Sequence, residues 1–257
     1  MEETAEDEPA LDEQIEVIIM CELFGMSCQA ADRGVYSLKA LGEESDWNPH
    51  GWGIAYYQDG QGVVERHPEV VGESERFNNL IQEAKSSVMI GHIRWATQGD
   101  LCTENCHPFK RRLLEKDWVF AHNGNISDAR CHRRSEGQTD SEQIFHEMLD
   151  DLEEYMSRSG FRGIYPGLKK AIRRVFERYS RNVTFNFLLS DGTHLFAYNH
   201  YPGKPLFVSK REKGYGGAII VSTCELNLNH SDWRWEELPR DRLLVLSEGR
   251  ILVMGKV

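Results

Sequence analysis

From position 21 onward the chain is dominated by short runs in which apolar and polar residues alternate, and several runs are joined by turns of Asp and Gly. GWGIAYY and GVVERH flank Asp59-Gly60, VTFNFLLS and HLFAYN flank Asp191-Gly192, and RLLVLSE and RILVMG flank Gly249, a pattern that predicts three β-hairpins. SSVMIGHIRW, DWVFAHN and GGAIIVST predict further strands. Two segments change to the helical period. In the first, Thr139 and Glu142 form a capping-box signature, and Ile144, Phe145, Met148, Leu149 and Leu152 then recur on one face. In the second, Pro166 lies near the start and Leu168, Ile172, Val175 and Phe176 form the stripe. Lys169, Lys170, Arg173, Arg174 and Arg178 fall outside that stripe, and most of them read as a solvated face. Hairpins with amphipathic helices predict antiparallel sheet covered by helices, an α+β layered domain.

Length and charge narrow the picture. The 257 residues are 40% hydrophobic and 28% charged, which suits one large domain or two packed halves, and no internal repeat or low-complexity linker divides them. Net charge is −11, but eight of the 41 acidic residues and none of the 30 basic ones lie in residues 1–20, so the other 237 carry only −3. Residues 1–20 therefore predict an acidic, disordered head on a body spanning 21–257. A near-neutral body lacks the cationic excess that nucleic acid or an anionic membrane attracts. No apolar run approaches the roughly 18 residues of a bilayer span, and the run IEVIIM follows acids where a signal peptide would carry positive charge. These features predict a cytoplasmic protein with neither membrane nor nucleic-acid partners. The six cysteines show no regular framework, so reduced thiols are expected.

The candidate chemistry lies in MCELFGM, HIRWATQG, AHNGNI and TDSE, where predicted strands end or a helix begins. Read singly, each segment has a plain alternative. Cys21 could be a small core residue, Asn123-Gly124 a type I′ turn, Arg94 a surface ion-pair partner, and Asp140 an acid complementing a helix dipole. Cys102, Cys106-His107 and Cys131-His132 lack the spacing of a zinc knuckle, so no metal and no cofactor is expected.

In their order along the chain, MCELFGMS, HGWGIAYY, GHIRWATQG, ENCHPF, WVFAHNGNI, TDSE, NFLLSDG and the late Trp233 and Trp235 resemble class II glutamine amidotransferases, a branch of the N-terminal-nucleophile hydrolases. The similarity is greatest to stand-alone members, some of which hydrolyse γ-glutamyl compounds. It implies a four-layer αββα sandwich in which two antiparallel sheets lie between helices. It also implies roles: Cys21 as nucleophile, the Asn123 amide and Gly124 N–H as oxyanion donors, and Arg94, Trp95, Thr97 and Asp140 around a glutamine-like substrate. Trp95 is expected to pack more than to contact. Gln98 stands where many family members carry His, which changes the character of one carboxylate contact.

A cysteine at a free N-terminus brings its own base, because an α-amino group titrates near pH 7.7–8 (roughly) and can take the thiol proton. That requires removal of residues 1–20, either as a mis-assigned start before Met20 or as a propeptide. The expected reaction is hydrolysis of the γ-amide of glutamine through a Cys21 thioester, with the ammonia available to a separate synthase partner. The alternatives are a γ-glutamyl hydrolase acting on a larger γ-glutamyl compound, and a non-catalytic regulatory or assembly subunit.

Overall fold

A computed structural model describes residues 21–43, 48–126, 129, 132–158, 163–179, 183–211, 217–227 and 233–257. The predicted head and Cys131 lie outside the described residues.

In chain order the elements are β1 (Glu22–Asp32), α1 (Val35–Glu43), β2 (Trp52–Gln58), β3 (Gln61–His67), α2 (Glu75–Glu83), β4 (Ser86–Ile93), β5 (Phe109–Leu113) and β6 (Lys116–Asn125). They continue with α3 (Asp140–Arg158), α4 (Ile164–Arg178), β7 (Thr184–Ser190), β8 (Leu195–Asn199), β9 (Phe207–Arg211), β10 (Ala218–Ser222), β11 (Glu236–Glu237), β12 (Arg242–Ser247) and β13 (Arg250–Lys256). The strands form a seven-stranded sheet, β11-β9-β10-β1-β4-β2-β3, and a six-stranded sheet, β13-β12-β8-β7-β6-β5. Every recorded pairing is antiparallel.

The three hairpins are β2–β3, β7–β8 and β12–β13. Asp59 and Gly60 both have positive φ (51° and 77°), as a type I′ turn requires. Among the described residues the body contains four α-helices where the periodicity predicts two. α1 and α2 have nine residues each, too short to show a full stripe in a window of roughly 11 to 18. α2 is nonetheless capped by Ser74, whose hydroxyl accepts the Phe77 N–H at 3.0 Å.

Alternation along each strand sorts side chains into three cores. Leu23, Ile90, Ala121, Leu188, Ile219 and Leu246 fill the space between the sheets. Phe24, Met26 and Ile54 pack outward against Leu38 and Leu41 of α1 and Ile81 of α2. Phe120, Phe185 and Phe187 pack outward against Phe145 and Leu149 of α3 and Ile172 of α4. Helix, sheet, sheet, helix is the expected αββα sandwich. Two of the α4 charges, Arg174 and Arg178, do not belong to a solvated face. Both reach Asp151 on α3, at 2.5 and 2.8 Å, and Arg174 also reaches Glu154 at 2.6 Å. Apolar stripes bring α3 and α4 side by side, and that proximity pairs their charged flanks.

Candidate active site

The site lies where the inner rows of both sheets run out. On β6, Val119 and Ala121 face the inter-sheet core while Trp118 and Phe120 face the α3–α4 layer, so Asn123 continues the inner row and His122 the outer one. On β1, Leu23 belongs to the inner row, and Cys21 continues it two residues earlier. The two rows meet: Asn123 Nδ2 donates to the Cys21 carbonyl at 2.5 Å across 102 residues of sequence. Asn123 and Gly124 are therefore not a turn. They pair with Asn186 and Phe185 inside the β6–β7 ladder. Gly124 has φ +149°, and a Cβ there would stand 2.0 Å from the Thr184 carbonyl oxygen, so only glycine fits.

Cys21 Sγ lies 3.2 Å from both the backbone N–H and the carbonyl of Trp95. Burial pushes its thiol up to about 11; the Trp95 backbone contact opposes that rise, the Glu22 carboxylate adds to it and Arg94 opposes it. A thiol so placed is protonated at neutral pH and needs a base before it can attack.

Arg94 is buried, 4% exposed, and its guanidinium wraps the turn that follows it. It donates to the carbonyls of Gln98 at 2.9 Å, Asp100 at 3.1 Å and Gly99 at 3.4 Å. Asn105 and Gln138 hold the same turn from the other side: Asn105 Nδ2 donates to the Asp100 carbonyl and Gln138 Oε1 accepts the Asp100 N–H, both at 3.0 Å. Thr97 is exposed on this turn, and Gln98 Nε2 donates to Asn125 Oδ1 at 3.3 Å. Trp95 is half-buried with its ring 4.7 Å from that of His50, whose Nδ1 accepts the Ala96 N–H at 3.0 Å.

Asp140 opens α3 and is 8% exposed. Its Oδ2 accepts the Ile126 N–H at 2.8 Å and its Oδ1 the Ser141 N–H at 2.7 Å, which fixes the strand that carries Asn123 to the helix start. Thr139 caps the helix through the Glu142 N–H at 3.3 Å. The Glu142 carboxylate turns instead to the N–H groups of Glu136 and Gly137, so only half of the predicted capping box forms. Behind Asp140, Ser141 Oγ lies 2.8 Å from His122 Nδ1, and His122 Nε2 lies 3.2 Å from the Thr184 carbonyl. A carbonyl can only accept, so Nε2 carries the hydrogen, and Nδ1 of the neutral ring shares the Ser141 hydroxyl with Asp140 Oδ1, which lies 3.2 Å from Ser141 Oγ. Burial holds His122 below the usual imidazole range against the pull of Asp140, and burial pushes His92 down to about 3. These rings are neutral structural groups beside the site.

The structure thus brings Cys21, Trp95 and Asn123 into contact, with Gly124 one residue on. Arg94 is one peptide from Trp95, while Thr97 and Asp140 border the site without a described contact to the sulfur. Sequence reasoning missed His50, Asn105, Gln138 and the buried Glu22. Glu22 left a signal as a charge opening an apolar strand, and His50 and Asn105 lie within the segments HGWGIAYY and ENCHPF. Among the described residues, no group of three or more His, Cys, Asp and Glu is arranged to hold a metal ion.

Residues 20–220 match the family described as glutamine amidotransferases class-II, and the match begins at the residue before Cys21. The chain belongs to the class II glutamine amidotransferases. YafJ of Escherichia coli is 32% identical to this amidotransferase over 188 residues, covering 70% of the chain and 72% of YafJ. Protein MJ1515 of Methanocaldococcus jannaschii is 34% identical over 210 residues, covering 77% of the chain but only 56% of MJ1515. The fold matches a predicted glutamine amidotransferase from Pseudomonas aeruginosa with TM-score 0.61 and 23% identity, over 91% of this chain and all of that one. It also matches the Bacillus subtilis glutamine phosphoribosylpyrophosphate amidotransferase with TM-score 0.66 and 17% identity, over 92% of this chain and 49% of that one. These structural likenesses show that the two-sheet αββα fold is shared. Among the described residues, no helix is long and apolar enough to cross a membrane.

Proposed function

We propose that the chain hydrolyses the γ-amide of glutamine through a thioester on Cys21, once residues 1–20 have been removed. The observation that carries this reading is the meeting of the Cys21 residue with the Asn123 amide and the Trp95 backbone at the open end of the sandwich. A thiol raised by burial needs an adjacent base, and the α-amino group freed at Cys21 supplies one.

The amine takes the thiol proton as Sγ adds to the side-chain amide carbon. The developing oxyanion accepts hydrogen bonds from Asn123 Nδ2, which turns from the Cys21 carbonyl to the substrate, and from Gly124 N–H. Such a donor is worth about 3 kcal/mol of barrier. Collapse breaks the C–N bond, and the amine's extra proton leaves with ammonia. Water then attacks the thioester with the same amine as base, releasing glutamate and restoring the thiol. Arg94 orders the turn at 97–100 and supplies the cation for the α-carboxylate, Thr97 adds a hydroxyl, Trp95 packs the wall, and Asp140 receives the α-ammonium. The ammonia passes to a separate consuming partner.

The test is glutamate release from glutamine by the protein beginning at Cys21. Parent protein should release it, Cys21→Ala should not, and the full chain with residues 1–20 attached should be inactive although folded. Equal activity in Cys21→Ala, or full activity with the leader attached, would sink the reading.

A further inference from the structure

The open ends of both sheets fix a left-to-right order around Cys21. In the seven-stranded sheet, β1 is flanked by β4, which leads to Arg94 and Trp95, and by β10, which leads to Thr223. In the six-stranded sheet, β6 carries Asn123, β7 carries Asn186 beside it, and β8 leads into the connection His200-Tyr201-Pro202-Gly203-Lys204-Pro205. Arg94 thus stands on the β4 flank, with Asp140 bound to the end of β6. The 200–205 connection and Thr223 stand on the opposite, β8–β10 flank.

That connection is pinned. Asn186, the register partner of Asn123, accepts the His200 N–H on Oδ1 at 2.8 Å and donates from Nδ2 to the Lys204 carbonyl at 2.6 Å, gripping the connection at both ends. Lys204 Nζ pairs with the Glu22 carboxylate, one residue from the nucleophile. The other Glu22 oxygen accepts the Thr223 hydroxyl at 2.5 Å, and Thr223 Oγ1 accepts the Leu23 N–H at 2.8 Å. A buried ion pair gains little net stability over an apolar pair of the same shape, but its geometry fixes where two segments sit. Between the pinned ends lies Tyr201, half-buried, with its ring 3.2 Å from where a Cβ on Gly203 would stand. Burial raises its phenol above the ordinary range, Lys204 opposes that rise and Cys21 adds to it.

We infer that the 200–205 connection, held by Lys204 on Glu22 and by Asn186, is the wall of the leaving-group subsite, and that Tyr201 restricts the reaction to amides with a small nitrogen substituent. This rests on the Cys21 reading above. With the glutamyl end of the substrate held on the Arg94 flank, the bond to nitrogen points across Cys21 toward Tyr201. Lys204 acts as a positioning residue, through Glu22 and the connection.

The experiment is a series of γ-glutamyl amides of rising bulk (glutamine, the methylamide, the butylamide and the anilide), assayed by glutamate release with protein beginning at Cys21. For the parent, kcat/KM should fall at least about tenfold from glutamine to the anilide, the size of effect a crowded subsite produces. Tyr201→Ala should shrink that ratio by about tenfold and Lys204→Met should shrink it in the same direction, while Tyr201→Phe, which keeps the ring, should retain it. An active Tyr201→Ala protein with an unchanged ratio overturns the wall and leaves the Cys21 chemistry standing. Should Tyr201→Ala fail to fold, the parent series decides, because equal kcat/KM across the series overturns the proposal by itself. A parent inactive on every amide overturns both readings together.

Discussion

In the proposed mechanism Cys21 must sit among fixed donors and still be able to lose a proton. Burial alone drives the thiol the wrong way, to about 11. While residues 1–20 remain attached, its alkylation by iodoacetamide should therefore rise tenfold per pH unit up to roughly pH 11, because only the thiolate reacts. After trimming, the same curve should level off between about pH 7.7 and 8.5, the range of an α-amine and an ordinary thiol. Identical curves for the two forms would remove the amine from the mechanism. Gly124 makes a different demand. Gly124→Ala forces a Cβ to 2.0 Å from the Thr184 carbonyl, so it should lower the melting temperature as well as turnover. Asn123→Ala should lower kcat by about a hundredfold with little change in KM, since its donor is needed most when the oxyanion forms. The Asn123-Gly124 dipeptide shows how far residue-level reading reaches. Locally it spells a turn, and only the long pairing of β6 with β7 makes it an interior strand position.

At the scale of elements, the hairpins were legible because their signals are local: two alternating runs and a turn that needs positive φ. α3 and α4 were legible for the same reason, through a full apolar stripe. α1, α2, β5, β9 and β11 were not, because they are short and their burial is decided by neighbours distant in sequence. The charged flanks of α3 and α4 belong to that second group. Asp151, whose side chain is 6% exposed, receives both Arg174 and Arg178. Asp151→Ala leaves two partly exposed guanidinium groups that water can solvate, so it should cost about 1–2 kcal/mol in urea unfolding and leave turnover unchanged. No loss of stability would mean that the apolar stripes alone hold the helix pair.

For the molecule as a whole, the buried imidazoles set how it answers to acid. His92, His107 and His122 are all held below the usual imidazole range, chiefly by burial. Unfolded, each would take a proton near pH 6.5; folded, each resists until lower pH. The unfolded chain thus binds more protons in that window, and stability should decline as pH falls from 6.5, by up to about 1.4 kcal/mol per unit for each histidine. Asp191, held below the carboxylate range by His194 and Lys116 against its burial, adds a second loss below roughly pH 4. Urea midpoints at pH 7, 5.5 and 4 check this, and a flat response from 7 to 5.5 would contradict it. The central place of β1 has one more consequence. Leu23 meets Thr223, 200 residues further along, and β1 lies between β4 and β10. At roughly 5 to 20 residues per second, a ribosome needs on the order of 10 to 40 seconds to deliver that last neighbour. Throughout that interval β1 lacks one of its two neighbours, so the removal of residues 1–20 proposed above can precede closure of the seven-stranded sheet.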